Sequence, residues 1–248
     1  MVLLLFVDLD AELAALRPLG GFFLLRTAGR PPRPLPALAD AYGETQPEVH
    51  PDPLMLRVRK VADGIRAPEA RVAASIAHQG LAARLWSVAL GCAALYGTVP
   101  DLDPRLVRWD PEATAPDDLW LTEVRPGTDL AAAVLVGHLR PLGAALRARY
   151  PLAPGLLRGN AASALAGAAR QLERWAAAHD RPEAAARARA LTTGLLAHPD
   201  LAGAGRFLPS GGFRRRSCCL YYRVPAGGVC GDCCFPSPPR SSPRAPSG

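Results

Sequence analysis

The stretch "PEARVAASIAHQGLAARLWSVALGCAALYG", Pro68 to Gly97, decides the fold class of this 248-residue chain. Val72, Ile76, Leu81, Leu85, Val88, Cys92 and Leu95 recur in steps of three to five residues, close to the helical period. Gly97 supplies a stop, and Pro68 fits the first turn, where its missing N–H costs nothing. Cys92 falls on the apolar face and reads as a buried, inert thiol.

Outward from this helix, the texture stays mostly helical. "DDLWLTEV" from Asp117 reads as a short strand, followed by the turn "RPGTD" and a helical run from about Leu130 that breaks near Pro141. Asn160 is expected to cap "AASALAGAARQLERWAAA", with Leu165, Ala169, Leu172 and Trp175 on one face. Asp180 and Pro182 begin a further helix that ends before Pro199. Toward the N-terminus, prolines crowd residues 30–53 into a loop-rich connection, and residues 1–16 fit either a helix or a strand. No fixed-period repeat is visible. The expected architecture is mainly α with a small β component (α+β). A helical body over residues 1–206 precedes a C-terminal module at 207–235 and a Pro/Ser-rich disordered tail at 236–248.

At this length a full hydrophobic core is available without disulfides. "MVLLLFVDLDAEL" has no basic n-region or small-residue cleavage site, and no segment reaches about 18 uninterrupted apolar residues. A cytoplasmic protein with reduced thiols is expected, which turns its cysteines toward metal binding. The net charge is +7, and Lys60 is the only lysine among 29 basic residues. Aromatics near basic runs are limited to Phe213, Tyr221, Tyr222 and Phe235, so stacking on nucleic acid is not expected.

Five of the six cysteines lie in "RRRSCCLYYRVPAGGVCGDCCF", Arg214 to Phe235. The pattern is Cys218-Cys219, ten residues, then Cys230-x-x-Cys233, with Cys234 additional. A CxxC step turns the chain so that both sulfurs aim at one centre, and Gly231 and Asp232 suit such a turn. "LYYRV" reads as strand-like and "PAGG" as a turn. In a plain hairpin Cys219 faces Cys234, and Cys230 lies roughly 10 Å away at ~3.3 Å per residue. Convergence therefore requires the second arm to curl at Cys230. Adjacent cysteines point to opposite faces of an extended backbone, which is awkward for one tetrahedral zinc. A two-iron cluster is larger and takes two thiolates on each iron.

This cysteine pattern, following a mainly helical region, resembles that of the FhuF-type ferric-siderophore reductases; "RRRSCCLYY" and "RGNAASAL" (Arg158 to Leu165) also resemble members of that family. The resemblance implies a [2Fe–2S] cluster on Cys218, Cys219, Cys230 and Cys233, with Cys234 as the alternative to Cys233. It also implies one-electron reduction of hydroxamate-type ferric siderophores in the cytoplasm, releasing Fe(II). Oxidised and reduced, such a cluster carries charges of −2 and −3 with its four thiolates. Arg214, Arg215, Arg216 and Arg223 are placed to tune its potential or to dock a partner.

Beyond the cluster no catalytic group is expected. His50, His78, His138, His179 and His198 show no HExxH or paired-ligand spacing and read as structural. There is no G-x-S-x-G elbow, and "AGAGR" at Ala202–Arg206 lacks a supporting βαβ pattern. An external donor such as a ferredoxin or flavoprotein reductase is therefore implied. Two alternatives stand beside this reading: a zinc-stabilised basic binding module, and an electron-transfer protein without siderophore specificity.

Overall fold

The computed structural model describes residues 9–27, 31, 33–43, 52–127, 129–225 and 227–239. Seven α-helices occur among them: α1 Leu9–Ala15, α2 Leu38–Tyr42, α3 Pro53–Ile65, α4 Ala70–Tyr96, α5 Arg140–Arg149, α6 Pro154–Ala178 and α7 Pro182–Ala197. Two antiparallel strand pairs complete the α+β fold: β1 Val107–Trp109 with β2 Leu119–Leu121, and β3 Gly205–Phe207 with β4 Phe213–Arg215. The first residues and the end of the tail, 1–8 and 240–248, lie outside the described residues, as do His50 and most of "GETQPEVHP".

Helix α4 is the axis of the molecule. It is buried along most of its length on all sides, rather than on the single face its periodicity suggests, because alanine and serine fill the positions between the large residues. It packs against α1, α3, α6 and α7. A Cβ on Gly91 would lie 3.0 Å from Phe23 and 3.1 Å from Leu16, so this mid-helix glycine lets the N-terminal segment approach closely. The helix starts at Ala70, leaving Pro68 just outside its first turn, and stops at Gly97 in the left-handed region (φ 76°).

Three other expectations change. The proline-crowded segment contains α2, whose Leu38, Ala39, Ala41 and Tyr42 are buried and whose Asp40 accepts from the Ala37 N–H at 2.8 Å. The run from Leu130 does not break at Pro141: a π-helix, Ala131–Leu139, widens the backbone just ahead of the proline and leads directly into α5. Asn160 is not a cap. Helix α6 starts six residues earlier, with Pro154 in its first turn, so Asn160 is interior and fully buried. The short strand expected after Asp117 is present as β2.

Arg84 and Asp118 form an ion pair of 2.9 Å with side chains 2% and 3% exposed. The Arg84 guanidinium also donates to the carbonyls of Gly21 (3.1 Å), Phe22 and Leu24 (2.7 Å). One buried cation thus pins the loop at residues 21–24 to α4.

Two buried histidines bear on acid stability. His138 Nε2–H donates to the Leu102 carbonyl at 2.5 Å, and its Nδ1 accepts from the Tyr42 hydroxyl at 2.7 Å. Burial pulls its pKa down to about 4. Burial, and then the Arg215 charge, pulls His78 down to about 3. An unfolded histidine titrates near 6.5, so below that pH the unfolded chain binds more protons than the folded one. Stability is therefore present above about pH 6.5 and is lost as pH falls, by roughly 1.4 kcal/mol per pH unit for each histidine at most. Urea unfolding midpoints should drop steeply from pH 6.5 to 4.5. His138→Gln should flatten that slope by one histidine's share; an unchanged slope would contradict neutral burial of His138.

Candidate metal centre

The cysteine module sits on α6 and the N-terminal part of α4. Its first strand, β4, places Arg215 inward at 2% exposure, with Arg214 and Arg216 exposed on either side. Arg215 Nη2 donates to Asn160 Oδ1 at 2.5 Å and to the Leu156 carbonyl at 3.4 Å, and Nη1 donates to Gln79 Oε1 at 3.2 Å. Asn160 Nδ2 in turn donates to the carbonyl and Oγ of Ser75, at 2.8 and 3.0 Å. Ser75 Oγ donates to the Cys219 carbonyl at 2.8 Å. A connected polar path thus runs from both long helices to the cysteine pair.

The second arm is fixed by Asp232, inside the CxxC step. Its carboxylate accepts from Ser163 Oγ at 2.7 Å and pairs with Arg170 at 3.0 Å, and its carbonyl accepts from the Arg215 N–H at 3.0 Å. The face of α6 beneath is cleared for this docking. A Cβ on Gly159 would collide with Ser217 Oγ and lie 3.1 Å from Arg215 Nη2. "RGNAASAL" is therefore the seat of the module: Gly159 yields space, Asn160 holds the first arm and Ser163 the second.

"LYYRV" is not a strand. Leu220 takes a left-handed conformation (φ 71°), and Tyr221–Arg223 form one 3₁₀ turn. That reversal, immediately after the cysteine pair, replaces the hairpin and brings Cys230 to Cys219, with Sγ atoms 3.6 Å apart. The Sγ atoms of Cys218, Cys233 and Cys234 form a second group within 4.8 Å of one another. Cys218 thus belongs with Cys233 and Cys234 while Cys219 pairs with Cys230, and the two neighbours also interact directly with each other. Cys233 N–H donates to the Cys230 carbonyl at 3.0 Å, closing the CxxC turn. The sulfurs of Cys218 and Cys233 accept backbone N–H bonds, from Leu220 at 3.2 Å and Phe235 at 3.4 Å. Tyr222 and Phe235 meet edge to face at 6.1 Å, joining the two arms.

A tetrahedral metal with bonds of about 2.3 Å to sulfur sets its sulfurs about 3.8 Å apart. The Cys219–Cys230 separation matches two thiolates on one such metal, and a second group of thiols beside it suits a second metal. The donor set therefore fits a two-iron centre. The thiols also compete for ionisation. Hydrogen bonds from Cys218 and Cys230 lower the Cys219 pKa, and the resulting negative charge, with burial, raises both partners. Burial raises Cys234 as well. Cys92 lies apart, buried in α4, with its pKa pushed up to about 12 by that burial.

The other expected cations divide. Arg223 pairs with Glu69 at 2.6 Å and lies over the Tyr222 ring, tying the module to the start of α4. Arg214 reaches the Cys234 carbonyl at 3.1 Å and stays exposed. Ser75, Asn160, Ser163 and Asp232 were not singled out as site residues. The signal for two of them is a pair of polar residues three apart, Asn160 and Ser163, in the otherwise Gly/Ala/Leu stretch at residues 159–169.

Gly227 is the tightest point of the turn. A Cβ there would collide with the Tyr221 carbonyl and lie 2.8 Å from that of Val224. Gly227→Ala is expected to push Cys230 away from Cys219 and lower iron incorporation at least twofold, read as iron per chain after anaerobic purification. Wild-type iron content would show that the turn is not needed for convergence.

Residues 215–235 match the FhuF 2Fe-2S C-terminal domain. That segment is similar to the FhuF-type iron–sulfur domain, and its cofactor is a [2Fe–2S] cluster. No curated protein matches the chain. Among the described residues, no helix is long and apolar enough to cross a membrane.

Proposed function

We propose that this FhuF-type [2Fe–2S] chain is a one-electron reductase of cytoplasmic ferric siderophores, hydroxamate-type chelates foremost, and that it releases their iron as Fe(II). The observation that carries the reading is the gathering of Cys219 with Cys230 and of Cys218 with Cys233 and Cys234, within a segment that matches the FhuF 2Fe-2S C-terminal domain. Cys218, Cys219, Cys230 and Cys233 serve as ligands in this account, with Cys234 as the reserve. Residues 207–235 act as the cluster-bearing module and 1–206 as the body that seats it.

When bound, the cluster supplies a reversible one-electron carrier. The rest of the work belongs to the chain. Arg215 holds a buried positive charge beside the thiolates and favours the more negative, reduced state. The neighbouring α6 residues hold Arg215 in place. Arg214 and Arg216, exposed on β4 and just beyond it, present charge to an acidic one-electron donor of the ferredoxin or flavoprotein class. No acid–base group is required, because oxygen ligands hold ferrous iron far less tightly than ferric iron, and reduction is itself release.

The test is stopped-flow oxidation of the reduced protein by a ferric trihydroxamate. The rate of return of visible absorption should saturate with chelate concentration. A rate that rises linearly and equally for unrelated ferric chelates would indicate an electron carrier without siderophore recognition.

A further inference from the structure

A cleft of about 450 Å³ lies between α4, α6 and the loop at residues 19–23, beside the cysteine module. Asp232, the residue between Cys230 and Cys233 in contact with α6, lines it directly. Also on its walls are Arg170 and Arg174 of α6, Gln79 of α4, and Phe22, which is 47% exposed on the loop. The Arg84 network described above fixes the loop wall, and Gln171 Nε2 joins α6 to it through the Leu19 carbonyl at 3.2 Å. The walls are therefore built, not incidental.

Two features mark the cleft as a binding site. Arg170 spends Nη2 on Asp232, while its Nη1 is buried without a hydrogen-bond partner. Gly167 sits mid-helix on the cleft wall, where glycine is about 1 kcal/mol less favourable than alanine. Packing does not require it: a Cβ there would meet only Arg170 Nη2, at 4.0 Å. Its effect is to leave the cleft open.

We infer that this cleft receives the ferric chelate, an inference that rests on the reductase reading above. Guanidinium and amide donors on the walls suit the carbonyl and hydroxamate oxygens of such a chelate, and Phe22 offers an apolar lip to its methylene spacers. A chelate seated against Asp232 lies next to the cysteine loop. One electron passes from the reduced centre to iron(III), giving iron(II) and the oxidised centre. No proton moves, and a one-electron donor of the ferredoxin or flavoprotein class restores the reduced state.

The experiment uses the gallium(III) complex of a linear trihydroxamate, which cannot be reduced, titrated calorimetrically onto the oxidised holoprotein. Wild type and Gly167→Ala should bind it alike. Gly167→Trp, filling the cleft, should weaken binding at least tenfold with an unchanged visible spectrum and iron content. Arg174→Glu, exposed and remote from the core, should weaken it severalfold and covers the case in which the tryptophan variant does not fold. Wild-type affinity in folded Gly167→Trp and in Arg174→Glu, or no binding by wild type, overturns the cleft assignment. If ferric trihydroxamate still oxidises those variants with saturation, the reductase reading survives that failure. Failure of ferric trihydroxamate to oxidise reduced wild type instead removes the reductase reading.

Discussion

Cys219→Ala and Cys230→Ala are each expected to reduce iron and sulfide from about two of each per chain to near zero and to abolish visible absorption. These sulfurs lie 3.6 Å apart, at the separation of two thiolates on one metal. Cys218, the other thiol in contact with Cys219, is itself a ligand in this account and is no spare. The second group behaves differently, because Cys218, Cys233 and Cys234 lie mutually within reach. Cys233→Ala should lower cluster content and broaden the spectrum, with Cys234 partly substituting. Cys234→Ala should leave the spectrum intact, since the CxxC turn and the N–H bond to sulfur both belong to Cys233. Cys92→Ala should have no effect on iron content, as its thiol is buried in α4. Full iron and sulfide in Cys219→Ala would remove that residue from the ligand set.

Arg215→Met should have the largest effect outside the cysteines. The substitution leaves the buried Asn160 Oδ1 without its donor and removes further donors from the half-buried Gln79 Oε1 and from the Leu156 carbonyl, which keeps its helical bond. Loss of about 2 kcal/mol of stability follows from that unsatisfied buried acceptor together with the lost charge-assisted hydrogen bonds. Removing a buried cation from beside the thiolates also disfavours the reduced state. The midpoint potential should fall by about 60 mV or more, the shift that corresponds to a tenfold change in a one-electron equilibrium. Arg215→Lys should recover part of the potential but less of the stability, because an ammonium keeps the charge and loses the planar fork. A destabilised Arg215→Met with unchanged potential would make Arg215 purely a structural residue.

The sequence was most informative where the pattern is local. Helical spacing over 72–95, the Gly97 stop of α4, the Pro182 start of α7, and the Cys-Cys-x10-CxxC motif each depend on residues close in the chain. What it hid depends on distant partners. Nothing within "RGNAASAL" announces that Asn160 is interior; its role appears only once Ser75 and Arg215 stand beside it. "LYYRV" has strand composition, but the left-handed Leu220 overrides that propensity so that two arms can bring sulfurs together. The four arginines looked equivalent as a run. Strand alternation in β4 buries the middle one and exposes its neighbours, and contacts with Glu69 and the Tyr222 ring separate Arg223 from a free surface cation.

The most direct measurement is the stoichiometry of iron release. Protein reduced by one electron per chain is mixed anaerobically with one equivalent of ferric trihydroxamate in the presence of a ferrous-specific chromogenic chelator. The account predicts about one Fe(II) captured per chain, at the same rate as visible absorption returns to its oxidised level. Reduced protein that keeps its bleached spectrum while no Fe(II) appears would contradict it.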